Sequence, residues 1–283
     1  MAILSDLVRQ AAEKLQFNGI PDPVREANLL MSLALGKDRA FIIANDAYCL
    51  TLKEEQRYTE FLERRAGREP YQHISGVQEF WKLEFIVTPD VLIPRHETEL
   101  IVENALELFP EGCEFEFCEI GIGSGCISVS ILNERERSTA TAGDISAAAL
   151  EIASINAKRH NVIDRLRLLE SDIFGGFPDR TFDLIVSNPP YIPARAIENL
   201  QIEVRDHDPE IALTDGGDGL SVIKKIVSGA PQYLKPHGWL LMEIGYDQCA
   251  AVAGILDPRV WEKTEILPDL QGIPRVAKTR LLR

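Results

Sequence analysis

From Pro94 to the C-terminus the chain alternates short apolar runs with stretches of helical character, and no other feature narrows the fold so far. Runs at 114–120, 139–142, 166–169, 182–187 and 239–244 read as strands, and 126–136, 147–161, 220–233 and 247–256 read as helices. Strand–helix–strand repeats of this kind cover both faces of a sheet with helices, and right-handed crossovers make the strands parallel. Two last runs, 260–267 and 276–282, have no helix between them and predict an antiparallel pair at one edge. The expectation for 94–283 is a doubly wound α/β domain, mostly parallel, with an antiparallel C-terminal edge.

Residues 1–75 follow a different period. Ile3, Leu4, Leu7, Val8, Ala11 and Leu15 recur at three- and four-residue steps, the stripe of an amphipathic helix. Gly19 and Pro21-Asp22-Pro23 interrupt it, and Ala27, Leu29, Leu30, Leu33 and Leu35 form a second helix ended by Gly36. A third apolar set (Phe41, Ile42, Ile43) and a charged helix over 53–68 precede Pro70. The pattern predicts a small helical bundle, either a plain folding cap or a docking platform for a protein partner. Between the two parts, Phe80, Leu83, Phe85, Val87, Val91 and Ile93, broken by Gly76 and Thr88-Pro89-Asp90, predict a β-hairpin linker over 76–93.

Charge excludes some partners. The chain of 283 residues has 30 Lys and Arg against 44 Asp and Glu, a formal charge of −14. Residues 76–283 carry 20 basic and 33 acidic side chains, and 1–75 carry 10 and 11. An acidic surface of that kind repels a phosphate backbone, which argues against wrapping nucleic acid. The five cysteines (Cys49, Cys113, Cys118, Cys126, Cys249) include no C-x-x-C pair, so neither a zinc site nor a disulfide framework is expected. No basic leader followed by an apolar run and no membrane-length apolar stretch is present, and a cytoplasmic protein is expected.

Three motifs carry chemistry. The first is Glu119-Ile120-Gly121-Ile122-Gly123-Ser124-Gly125, at the end of one strand and the mouth of a helix. Its glycines let backbone approach a ligand, and free helix N–H groups can meet an anion. The spacing is neither the dinucleotide G-x-G-x-x-G nor a P-loop. Asp144 ends the next strand, placed either to accept from ribose hydroxyls or to enrich a helix N-terminus capped by Ser146. Asp172 with Ile173 closes the third strand and suits an adenine edge and face, or else a turn. The sharpest motif is Asn188-Pro189-Pro190-Tyr191-Ile192-Pro193, directly after the 182–187 strand. Two prolines stiffen the exit and leave carbonyls unopposed by N–H donors. The Asn188 side chain and the Pro189 carbonyl can then hold a planar NH₂ group, with the Tyr191 ring packed on it.

The glycine loop with Asn-Pro-Pro-Tyr resembles class I S-adenosylmethionine-dependent methyltransferases that act on exocyclic or amide nitrogen. The chain is most similar to the release-factor glutamine methyltransferase family (PrmC/HemK). That likeness also rests on Tyr71-Gln72-His73-Ile74-Ser75-Gly76, Leu92-Ile93-Pro94-Arg95-His96-Glu97-Thr98-Glu99, Gly216-Gly217-Asp218-Gly219-Leu220 and Leu241-Met242-Glu243-Ile244-Gly245. It implies a Rossmann-like fold, and S-adenosylmethionine held by Gly121, Ile122, Gly123, Ser124, Gly125, Asp144, Asp172, Ile173 and Asn188. It further implies catalysis by Asn188, Pro189 and Tyr191, with substrate gripped by Asn188, Pro189, Pro190 and Tyr191. Glu97 and Thr98 stand in second rank, near the methionine end of the cofactor. The implied substrate is the glutamine of a Gly-Gly-Gln loop in a peptide-chain release factor of translation termination. The enzyme would act as a monomer, without metal, membrane or direct nucleic-acid contact. Methylation of a ribosomal-protein glutamine, of adenine N6 or cytosine N4 in nucleic acid, or an inactive docking role are the alternatives. Two positions depart from the family pattern: Glu119 where Asp is usual, and His96 where proline is usual.

Overall fold

The structure, a computed structural model, describes residues 2–283 and divides into two compact units. The first unit runs to Gly76 and also takes in Gln201–His207; the second comprises Val77–Leu200 and Asp208–Arg283.

The first unit contains the helices Leu4–Phe17, Pro23–Leu35, Arg39–Ala44, Leu52–Ala66 and Tyr71–Ser75. Its core joins Ala11, Leu15, Ala27, Leu30, Met31 and Tyr58. The expected break between the first two helices is present, and Pro23 at its end opens the second, because the first helical turn has no use for the missing N–H. Gly36 ends that helix in the left-handed conformation, as its lack of a Cβ permits. The charged helix begins on a capping box, in which Thr51 and Glu54 each accept from the other's backbone N–H. The sequence reading kept 94–283 continuous, yet 201–207 clusters with these helices. Glu203 accounts for this, since it pairs with Arg65 at 3.1 Å and Arg68 at 2.7 Å, and Arg65 is itself buried.

In the second unit a hairpin of β1 (Val77–Phe80) and β2 (Leu83–Ile86) precedes seven strands. These are β3 (Glu116–Ile120), β4 (Thr139–Asp144), β5 (Leu166–Glu170), β6 (Phe182–Ser187), β7 (Leu234–Glu243), β8 (Glu265–Pro268) and β9 (Pro274–Arg280). They form one sheet in the order β5-β4-β3-β6-β7-β9-β8, parallel from β5 to β7 and antiparallel at β9 and β8. The hairpin is no mere linker: Phe80 and Phe85 are fully buried in the core of this unit. Side chains alternate between the two faces as strand geometry requires. Phe117, Leu184 and Leu241 enter the core on one face, and Cys118, Ile185 and Met242 enter that on the other.

The C-terminal part departs from expectation in its boundaries. β7 begins at Leu234 instead of 239, with a register shift between Phe182 and Leu184 opposite it. β8 covers only Glu265–Pro268, while Trp261 makes an isolated bridge to Leu281.

What positions the site is the register. Ile120 pairs with Gly143 on one side and Ser187 on the other, and Ser187 pairs with Met242. Four parallel strands therefore end level, and β3 and β6 are neighbours although the chain visits β4 and β5 between them. That is the topological switch point, where crossovers leave in opposite directions and a crevice opens at the carboxyl ends.

Candidate active site

A cavity of about 310 Å³ occupies this crevice, within the range of small-molecule sites. Gly121, Ile122, Gly123, Ser124, Asp144, Asp172, Ile173, Asn188, Pro189 and Pro190 all line it. The loops after β3, β4, β5 and β6 thus converge on one space.

The glycine turn is held by its neighbour strand. Gly121 and Ile122 both donate from their backbone N–H to the Gly143 carbonyl, at 2.9 and 3.1 Å. Gly121 and Gly123 take positive φ, and a Cβ added to either would project into open space. The turn therefore needs glycine for its backbone path and keeps the cavity floor clear. Gly125 differs. It does not line the cavity, and a Cβ there would meet Ala153 at 3.4 Å, so it serves the packing of helix Cys126–Glu134 on helix Ala147–Arg159.

Asp144 accepts from Gly123 N–H and Ser146 N–H, each at 2.9 Å, while the Ser146 hydroxyl accepts from Ala149 N–H and caps the next helix. The carboxylate therefore fixes the turn while standing on the cavity wall. Beside it Ile145 is 52% exposed on the same wall, an apolar face that the sequence reading passed over. Its signal was an isoleucine directly after a strand-terminal acid. Ile173 lies at φ +55, a strained conformation for a β-branched residue, of the kind that collects at ligand sites.

Two buried carboxyl groups stand behind the loops. Glu119 is 1% exposed and accepts from the Ser128 N–H at 3.0 Å and from the Ser128 hydroxyl, both on Oε2. Burial pushes its pKa up to about 8; the Ser128 bonds oppose that shift and the Asp144 charge adds to it. Glu243 is 2% exposed at the end of β7. The Thr98 hydroxyl donates to its Oε2 at 2.6 Å and the Tyr191 hydroxyl to its Oε1 at 2.9 Å. Burial raises the Glu243 pKa against the pull of these bonds and of Arg275. Asn188 Nδ2 donates to Thr98 Oγ1 at 3.1 Å.

The exit after β6 is secured elsewhere too. The Ser187 hydroxyl donates to the Ile120 carbonyl at 2.8 Å, tying β6 to β3 where the two loops begin. Gln248 Nε2 donates to the Tyr191 and Gly219 carbonyls at 2.9 and 3.2 Å. Tyr191 is absent from the cavity wall. Its hydroxyl is committed to Glu243, and burial beside that carboxylate drives its pKa well up, which anchors the ring from behind. Thr98 is on the wall; Glu97 instead lies 3.6 Å from Arg275 and off it. His96 is exposed against Glu99, and among the described residues no group of His, Cys, Asp and Glu is arranged to hold a metal. Sequence reasoning also missed Arg95, on the wall and paired with the buried Asp208 at 2.5 Å, and Pro209 and Ile211 beyond it. Arg95 stands in the 92–99 motif without a role assigned to it, and no local pattern marks Pro209 or Ile211.

The chain matches the family models of the PrmC N-terminal domain over residues 6–76 and of the methyltransferase small domain over 98–206. It is 41% identical to the release factor glutamine methyltransferase of Koribacter versatilis, over 95% of each chain. It is also 41% identical to that of Geobacter sulfurreducens, over 93% of this chain and 91% of the relative. A solved methyltransferase from Pyrococcus furiosus, 18% identical, superposes with a TM-score of 0.52 over 81% of this chain and 98% of its own, a likeness of fold. Both units of the chain are thus accounted for by one group of proteins, and the chain belongs to the release factor glutamine methyltransferase family.

Proposed function

We propose that this enzyme transfers a methyl group from S-adenosylmethionine to the side-chain amide nitrogen of the glutamine in the Gly-Gly-Gln loop of a peptide-chain release factor. The observation that carries the reading is the Asn188 side chain on the cavity wall, its amide nitrogen already engaged by Thr98. An asparagine held by its nitrogen has its carbonyl oxygen left to accept from a ligand.

The residues present fit the cofactor. The open floor over Gly121 and Gly123 admits a nucleoside, Asp144 on the wall would accept from its hydroxyls, and Ile145 and Ile173 offer apolar surface to a flat ring. Asp144 supplies an acceptor and Glu119 a buried carboxyl group at the floor, which suit a hydroxyl-bearing ligand. When bound, S-adenosylmethionine supplies a sulfonium methyl that needs no further activation.

An amide nitrogen is a poor nucleophile because its lone pair is delocalised into the carbonyl. The chain must therefore supply orientation. Asn188 Oδ1 and the Pro189 carbonyl accept from the two amide N–H groups, fix the plane of the amide, and oppose the positive charge that grows on nitrogen as the new bond forms. Positioning of this kind supplies on the order of 7–11 kcal/mol of a barrier. Acceptors fixed before reaction add electrostatic stabilisation without reorganising. Pro190 has no N–H to compete for the substrate carbonyl, and its ring keeps the exit rigid. No strong base is required at the outset, since the nitrogen becomes acidic once methylated.

The helical unit is the docking platform under this reading, and it exposes Phe17, Ile43 and Leu52. Among the described residues no helix is long and apolar enough to cross a membrane. The reading puts the enzyme in the cytoplasm, acting as a monomer without direct contact to nucleic acid. The test is mass spectrometry of a release factor co-expressed with and without this chain. One added methyl on the Gly-Gly-Gln glutamine is expected, and an unmodified glutamine in both samples would overturn the proposal.

A further inference from the structure

We infer that Glu243 is a positioning residue for methyl transfer, setting through Thr98 which end of the Asn188 amide meets the substrate. The inference rests on the function proposed above and concerns a carboxylate that touches neither ligand: Glu243 is absent from the cavity wall, whereas Thr98 and Asn188 are on it.

The two ends of an asparagine amide have nearly the same shape, so packing does not choose between them; hydrogen bonds do. The Thr98 hydroxyl has one proton. At 2.6 Å from Glu243 Oε2 that proton belongs to the carboxylate, which can only accept. What Thr98 turns toward Asn188 is then a lone pair, which only the amide nitrogen can satisfy, as the 3.1 Å contact records. The polarity runs in one direction: Asn188 Nδ2 donates to Thr98, and Thr98 donates to Glu243. The Tyr191 hydroxyl donates to the other carboxylate oxygen at 2.9 Å, so both oxygens are engaged. With the carboxylate removed, the Thr98 proton is free to swing to Asn188 Oδ1, and the amide then turns its NH₂ toward the cavity. Two donors would face each other across the target nitrogen.

The test measures kcat, the KM for release factor, and cofactor affinity for Glu243→Met, Thr98→Val and the double variant. Glu243→Met keeps the side-chain volume while removing the acceptor, and leaves the Thr98 and Tyr191 hydroxyls to find other partners at some cost in stability. Each single variant is expected to lose about 100-fold in kcat, as removal of one fixed partner of a transition state does. Cofactor affinity should stay within about threefold in Glu243→Met, because Glu243 lies off the cavity wall. The double variant should lose no more than either single, since both cut the same chain of bonds. Thr98→Ser, which restores the hydroxyl, should recover most of the kcat lost in Thr98→Val; this pair carries the test should Glu243→Met fail to fold. Wild-type turnover in Thr98→Val, or losses that add in the double variant, would overturn the inference. If the wild-type enzyme left the glutamine unmodified, the proposed function would fall instead.

Discussion

The turn after β3 and the exit after β6 begin side by side, at paired Ile120 and Ser187, yet they are held in different ways. The turn is fastened by what lies near it in sequence or in the adjoining strand: Gly143, Asp144 and, behind it, Ser128 on Glu119. The exit is fastened by side chains from far along the chain, with Thr98 90 residues from Asn188 and 145 from Glu243. Each loop has a buried carboxyl group at its back, but Glu119 gathers both its bonds on one oxygen while Glu243 spreads its two over both. The difference matches the tasks assigned to them. A turn that cradles a cofactor needs a backbone path, which local bonds supply. An exit that aims one nitrogen needs a defined side-chain polarity, which requires partners converging from several strands.

Lesions on the two sides should therefore separate binding from transfer. Asn188→Ala is expected to cut methyl transfer by about 10³-fold while the cofactor still binds. Near-normal turnover in that variant would remove the amide-holding role.

On the turn side, the sign of the Glu119 effect follows from its raised pKa. The folded state holds the proton up to about 8, whereas the unfolded chain releases it near the ordinary glutamate value of about 4.3. Stability is thus present below the unfolded value and is lost as pH rises through that window, levelling above the folded pKa. Glu119→Gln keeps an oxygen for both Ser128 bonds and should abolish this loss, gaining on the order of 4 kcal/mol over wild type at pH 8 relative to pH 4. Urea midpoints of both proteins at the two pH values measure it, and parallel pH dependences would refute it.

Asp144→Ala should weaken cofactor binding by roughly 10–100-fold through the loss of a charged acceptor, with little effect on kcat at saturation. An unchanged dissociation constant would confine Asp144 to holding the turn. The smallest effect is expected at the seam between the loops. Ser187→Ala removes the bond to the Ile120 carbonyl and should cost about 1 kcal/mol in chemical denaturation. A loss of transfer without a loss of stability would show that the seam also aims Asn188.

Much of this was legible from residues alone. The apolar alternation after Pro94 specified the parallel sheet and its antiparallel edge, because strand and helix periods are local properties of the chain. The glycine turn and the diproline exit were recognisable for the same reason: each is a contiguous segment whose backbone demands show in its residue types. Asp144 and Asp172 could be nominated, though a strand-terminal acid also suits a turn or a helix cap, and only the cavity wall brought them together with Asn188.

Other features had no local sign. Gln201–His207 joins the helical unit because Glu203 meets Arg65 and Arg68, more than 130 positions earlier. Tyr191 belongs to the most recognisable motif of the chain, yet its hydroxyl is spent on Glu243 behind the cavity. Local periods and turn chemistry therefore settled which elements form and where the two loops begin. The direction of each hydrogen bond behind Asn188 was settled only by folding, because a hydroxyl gives its single proton to whichever acceptor the strand register brings within reach.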